Sequence, residues 1–170
     1  MVKFNEEEIR ILGRTASGVK GIDIDDSTSC VSASVINEDD EILIITEKGY
    51  GKRTNVCEYR LTHRGSKGVK GLNITEKNGA LVSINKVEPD SDLIIITDSG
   101  IVIKIRLDQV SKMSRVTQGV GLISLKEEQK VATVSLSKKD DLEENSEDSS
   151  DIEVKEQASE EKNEESSSVE

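Results

Sequence analysis

Aliphatic residues along the chain fall in short runs separated by glycines and charged turns. Glu41-Ile42-Leu43-Ile44-Ile45-Thr46-Glu47-Lys48-Gly49 is followed 51 positions later by a near copy, Asp92-Leu93-Ile94-Ile95-Ile96-Thr97-Asp98-Ser99-Gly100. Each reads as a strand, a tight turn closed by glycine, and a return strand. In the second return strand, Ile101, Ile103 and Ile105 alternate with Val102, Lys104 and Arg106. That spacing places one aliphatic and one charged face on a strand. The pattern predicts strands at 20–25, 30–36, 42–47 and 50–54, then at 69–74, 80–87, 93–97 and 101–106, then at 120–125 and 131–136.

A second set of copies fixes the period. Arg14-Thr15-Ala16-Ser17-Gly18-Val19-Lys20-Gly21-Ile22 aligns with Arg64-Gly65-Ser66-Lys67-Gly68-Val69-Lys70-Gly71-Leu72, 50 residues on. A third copy, Arg115-Val116-Thr117-Gln118-Gly119-Val120, follows after 51 and keeps the arginine and the Gly-Val pair. Four antiparallel strands per repeat of about 50 residues is the pattern of a propeller blade. Such units bury their faces against one another. The expected architecture is all-β: pinwheel or propeller-like blades, two full repeats and a partial third, as if cut from a larger ring.

Composition sharpens this. Tryptophan is absent and the only aromatics are Phe4, Tyr50 and Tyr59, so the core must be built from Ile, Val and Leu, residues suited to a pleated surface. Charge is unevenly spread. The 23 basic and 34 acidic side chains give a net charge of −11, which argues against a nucleic-acid binder if taken as one number. Residues 138–170, however, hold four lysines and fourteen acids, a net of −10. Their low apolar content and serine-rich stretches predict a disordered acidic tail. The repeats, 1–137, are close to neutral.

Within the repeats the positive charge is local. Residues 48–70 contain Lys48, Lys52, Arg53, Arg60, Arg64, Lys67 and Lys70 against Glu58 alone. Lys104, Arg106, Lys112 and Arg115 occupy the corresponding part of the next unit. Recurrence with the repeat favours a basic rim that follows phosphates over an ordinary solvated surface. No aromatic interleaving suits base stacking and no recognition helix is visible. The expected ligand is therefore duplex DNA, read by its backbone and shape.

Other chemistry finds little support. No apolar stretch approaches a membrane span of about 20 residues, and Met1-Val2-Lys3-Phe4-Asn5 leading into Glu6-Glu7-Glu8 does not read as a signal peptide. Cys30 and Cys57 lack metal-ligand spacing and read as reduced thiols of a cytoplasmic protein. No P-loop pattern is present, so ATP binding is not expected. Tyr50 and Tyr59 read as residues that cover the blade surface or hydrogen-bond at its edge, His63 as a surface or DNA-facing residue, and Asp25-Asp26 and Asp39-Asp40 as turn residues. No cofactor, metal or small-molecule substrate is expected.

Gly49-Tyr50-Gly51-Lys52-Arg53-Thr54 followed by Glu58-Tyr59-Arg60 resembles the C-terminal domain of DNA gyrase A. So do Leu12-Gly13-Arg14 through Ile22 and Gln118-Gly119-Val120-Gly121-Leu122-Ile123. The resemblance covers about residues 4–137. It implies part of a β-pinwheel that wraps duplex DNA, with the remainder of gyrase A and gyrase B as partners, in the bacterial cytoplasm at the nucleoid. This chain would be a non-catalytic part of an enzyme that supercoils DNA using ATP. The family's wrapping box, Gln-Arg-Arg-Gly-Gly-Lys-Gly, has only a degenerate counterpart in Thr62-His63-Arg64-Gly65-Ser66-Lys67-Gly68, and the chain matches the later blades. Acidic tails in the family imply that 138–170 competes with DNA. Two alternatives remain: the matching domain of topoisomerase IV, which serves decatenation, and a propeller-like protein-interaction module.

Overall fold

The computed structural model describes residues 1–126 and 128–138. Among the described residues seven strands form: β1 (Glu41–Thr46), β2 (Tyr50–Asn55), β3 (Leu81–Lys86), β4 (Ser91–Thr97), β5 (Val102–Arg106), β6 (Val120–Gly121) and β7 (Val131–Lys138). All named strand pairs are antiparallel, in a four-stranded sheet of order β3-β1-β2-β6 and a three-stranded sheet of order β5-β4-β7. The all-β pinwheel expectation holds. The expected acidic tail lies, apart from Lys138, outside the described residues.

The two hairpins form where the copied runs place them. Gly49 (φ 77°) and Gly100 (φ 82°) close their turns, each donating its N–H to the carbonyl three residues back, Thr46 and Thr97. A side chain is strained at that φ, which is why glycine recurs there.

The pairing differs from four strands within each unit. The strand expected at 80–87 joins the hairpin of the preceding unit, with Ile44 opposite Ile84. The strand expected at 131–136 does the same to the second hairpin, with Leu93 opposite Leu136. Each sheet is thus assembled by strand exchange between successive repeats. Segments 20–25, 30–36 and 69–74 are not strands; the first keeps one parallel bridge, Ile22 with Ser66. Residues 31–36 occupy the repeat position of β3, but no hairpin pairs with them among the described residues. The strand expected at 120–125 shortens to Val120–Gly121.

The core lies between the sheets. Leu43 and Ile45 of β1 meet Leu93 and Ile95 of β4, with Leu107, Val110 and Val131. On the other face of β1, Ile42 and Ile44 pack with Val56, Tyr59 and Leu72. Burial on both faces explains why β1 is a continuous aliphatic run. Each such side chain contributes about 1.5–3 kcal/mol. β5 is covered on one face only: Ile103 and Ile105 are half-buried while Val102, Lys104 and Arg106 are exposed.

A short 3-10 turn follows each return strand or its counterpart, at Glu6–Glu8, Val56–Glu58 and Leu107–Gln109. The first two are capped alike: the Asn5 and Asn55 side chains accept from the N–H groups of Glu7 and Cys57. This aligns Met1–Phe4 with Gly51–Thr54, half a hairpin earlier in the series.

Candidate nucleic-acid interface

The predicted cations sit in the hairpin turn (Lys48), on the return strands and in the loops that follow them. Those loops are also where one repeat grips the next, and both junctions share a plan. The backbone N–H of Arg64 donates to a carboxylate oxygen of Glu8 at 3.1 Å, and that of Arg115 to Glu58 at 2.7 Å. The Arg64 guanidinium donates to the Lys20 carbonyl at 3.2 Å, and that of Arg115 to the Lys70 carbonyl. The N–H of Asp23 reaches the Ser66 carbonyl at 2.9 Å, and that of Asn73 reaches Thr117 at 3.1 Å. Thr62 and Met113 donate backbone N–H bonds to Lys3 and Arg53. Partners in the two junctions are 50 or 51 residues apart, so the clasp belongs to the repeat.

One bond set is confined to the second junction. Lys52 is fully buried, at 0% exposure. Its ammonium donates to the carbonyls of Ser114 (3.0 Å) and Arg115 (2.6 Å) and to the Thr117 hydroxyl (3.3 Å). Burial brings its pKa down to about 8, Glu58 opposes that shift and Arg115 adds to it. An ammonium with all three donors spent on protein has none left for phosphate.

The eleven predicted cations therefore divide. Lys52 is buried, and Arg64 and Arg115 have guanidinium groups committed to the clasp. Arg53 donates to the Val110 carbonyl at 2.8 Å and lies 3.5 Å from Glu41, whose other oxygen holds Lys112 at 2.5 Å. Lys104 pairs with Asp92 at 3.0 Å and Arg106 with Asp108 at 2.6 Å. Lys48 donates to the Glu76 carbonyl, and Lys70 to the Asn73 side chain at 2.9 Å. Arg60 and Lys67 are exposed and, among the described residues, make neither an ion pair nor a hydrogen bond. Lys67 does contribute to the field that lowers the Asp23 pKa, behind the larger effects of Lys20.

Several residues outside the predicted cation set also shape this surface. Glu8 and Glu58 organise the clasps, and their 50-residue spacing was the available signal. Arg10, Arg14 and Lys20 are exposed repeat counterparts of Arg60, Arg64 and Lys70. Lys77 sits 5.7 Å over the Tyr50 ring. Asn78 is buried and fully bonded, accepting from Thr75 and donating to the Asn73 and Gln118 carbonyls. Tyr59 is buried, donates to the Gly71 carbonyl at 3.4 Å, and has its pKa pushed up to about 12, chiefly by burial. His63 is 91% exposed with Nδ1 3.3 Å from Glu8. Asp40 accepts from the Asn37 N–H and pairs with Lys86. Both cysteines are free and exposed. Among the described residues no three His, Cys, Asp or Glu side chains group to hold a metal, and no helix is long and apolar enough to cross a membrane.

Strand exchange between tandem hairpins, with loops clasped from repeat to repeat, defines a pinwheel-type β-propeller. A DNA gyrase C-terminal domain, beta-propeller model matches residues 1–37, 40–88 and 91–138, one segment per repeat, and the chain belongs to that family. It is 44% identical over 154 residues to DNA gyrase A of Staphylococcus aureus strain MRSA252, covering 89% of this chain and 17% of that protein. Against DNA gyrase A of strain NCTC 8325 / PS 47 it is 45% identical over 150 residues, covering 87% and 17%. The chain thus spans about a sixth of these relatives. Two solved structures share the fold: a DNA gyrase A C-terminal domain (TM-score 0.70, 24% identity, 78% of this chain and 45% of that one) and the C-terminal domain of DNA topoisomerase IV (TM-score 0.72, 22% identity, 79% and 42%).

Proposed function

We propose that residues 1–137 bind duplex DNA without sequence preference and help bend or wrap it within a gyrase A protein. In the holoenzyme, with the rest of gyrase A and with gyrase B, this supports ATP-dependent negative supercoiling in the bacterial cytoplasm. The observation that carries the reading is the loop after β2. Arg60, Lys67 and Lys70 project exposed from it, on a backbone held by inter-repeat bonds, and Arg10 and Lys20 repeat the placement 50 residues earlier. Fixed cations recurring along a tandem repeat series suit a sugar-phosphate backbone, where each neutralised phosphate releases counterions. Lys48, Arg53, Lys104, Arg106 and Lys112 are reachable second-rank contacts whose present partners must be exchanged for phosphate. Lys52 is outside the contact set.

A salt titration of duplex binding by gel shift tests this. Retardation at low salt that weakens steeply as salt rises is expected; no retardation at low salt refutes it, and salt-insensitive binding favours a protein-interaction module. Supercoiling against decatenation by the holoenzyme separates gyrase from topoisomerase IV, whose C-terminal domain shares the fold. The acidic segment 138–170 acts in this reading as a tethered competitor for the same cations. Its deletion should tighten DNA binding at low salt, and unchanged affinity would remove that role.

A further inference from the structure

We infer that Lys52 is a positioning residue, which holds the 112–117 loop in the one arrangement that presents Lys70 and Lys112 together to a polyanion. The inference rests on the DNA-binding reading above.

Three observations carry it. The ammonium bonds three oxygens within four residues of one loop, a grip that fixes the loop's orientation as one bond does not. The same loop touches the basic surface on both sides: the Arg115 guanidinium donates to the Lys70 carbonyl, and Lys112 bonds Glu41 beside Arg53. Finally, the repeat positions of Lys52 are filled by Val2 and Ile103. An aliphatic side chain therefore suits this register, and folding does not by itself require a lysine.

Burying an ammonium carries a desolvation cost, and replacing a buried ion by an apolar residue is often neutral or stabilising. The lowered pKa of Lys52 reports that cost. A residue that costs stability and fixes a loop gives its return in geometry. Stability and DNA affinity should then move apart, whereas a purely structural residue moves them together.

Lys52→Met keeps the length of the side chain, and Lys52→Val copies the first repeat. The full chain carrying either change is compared with wild type by thermal unfolding, by amide exchange at Met113, Arg115 and Thr117, and by titration with a random-sequence duplex. The expected result is an unfolding midpoint equal to or above wild type, at least tenfold faster exchange confined to that loop, and three- to tenfold weaker binding whatever the duplex sequence. Wild-type affinity in a folded variant overturns the inference. So does an affinity loss that tracks a global loss of stability and exchange protection in both variants. If the wild-type chain itself fails to bind duplex at low salt, the DNA reading falls and takes the DNA half of the inference with it. Loop exchange still decides separately whether Lys52 holds the loop.

Discussion

The division of the cations into exposed and committed sets makes a quantitative prediction. Arg60 and Lys67 are exposed without an ion pair or hydrogen bond among the described residues, and Lys70 bonds only a neutral amide on its own loop. If each meets one phosphate, these three contribute about −2.7 to the slope of log affinity against log salt, at about −0.9 per phosphate on duplex DNA. Between 50 and 200 mM salt that share alone lowers affinity about 40-fold. The double variant Arg60→Ala/Lys67→Ala should make the slope shallower by about 1.8, and the fall over that range about 12-fold smaller. Exposed side chains without partners contribute little to folding, so the unfolding midpoint should not move. Fluorescence anisotropy of a labelled random-sequence duplex over that salt range reads both slopes directly. Parallel lines for wild type and variant would refute the assignment, because they would show that the phosphates are met elsewhere. A variant that weakens binding to one sequence and spares others would equally count against it, since phosphate contacts carry no base information.

Three further outcomes follow from the junctions. Arg115→Ala removes the guanidinium bond to the Lys70 carbonyl and should cost about 1–2 kcal/mol in urea unfolding; an unchanged midpoint would show that the clasp is not formed in solution. Lys52 titrates near 8 when folded against 10.5 for an ordinary lysine, so between those values the unfolded chain holds a proton that the folded chain has released. Stability from this group therefore rises with pH through that window, by about 1–2 kcal/mol after allowance for solvent around the site, and the rise should be absent in Lys52→Met. Gly119 has φ 83°, and an added Cβ would stand 2.8 Å from the Gly51 carbonyl oxygen; Gly119→Ala should cost at least about 2 kcal/mol, and circular-dichroism melts that match wild type would contradict that packing.

The hairpins and the period were legible because they are local. The runs from Glu41 and Asp92 carry both strand propensity and turn chemistry in nine residues each, and the hairpins formed there. Strand exchange was not legible. β3 has the residues of a strand, yet nothing between 56 and 80 tells which hairpin it will join. Residues 30–36 show the limit more sharply: they have strand-like residues, yet among the described residues they join no ladder. Propensity describes a residue, whereas a sheet requires a partner. Lys52 shows a second limit. A lysine inside a basic run looks exposed, but the half-buried aliphatics Val2 and Ile103 at its repeat positions point to an inward-facing register. The repeat held the information and the local charge concealed it.

Recurrence with the period served two purposes that sequence alone does not separate. A cation recurs if every blade binds phosphate, and it recurs equally if every blade must be fastened to the next. Arg64 and Arg115 recur for the second reason, whereas Arg60 and Lys70, with Arg10 and Lys20 before them, fit the first, yet all lie on the same kind of loop. The two roles meet at Lys70, whose ammonium faces solvent while its carbonyl receives Arg115 from the following repeat. A phosphate drawn to that ammonium thus acts on a residue whose backbone is part of the clasp. Any polyanion that tracks these loops would follow a path set by the inter-repeat bonds and not by the long, flexible side chains that touch it. Bending of a bound duplex should accordingly respond to substitutions at the clasp, and affinity to substitutions at the exposed cations.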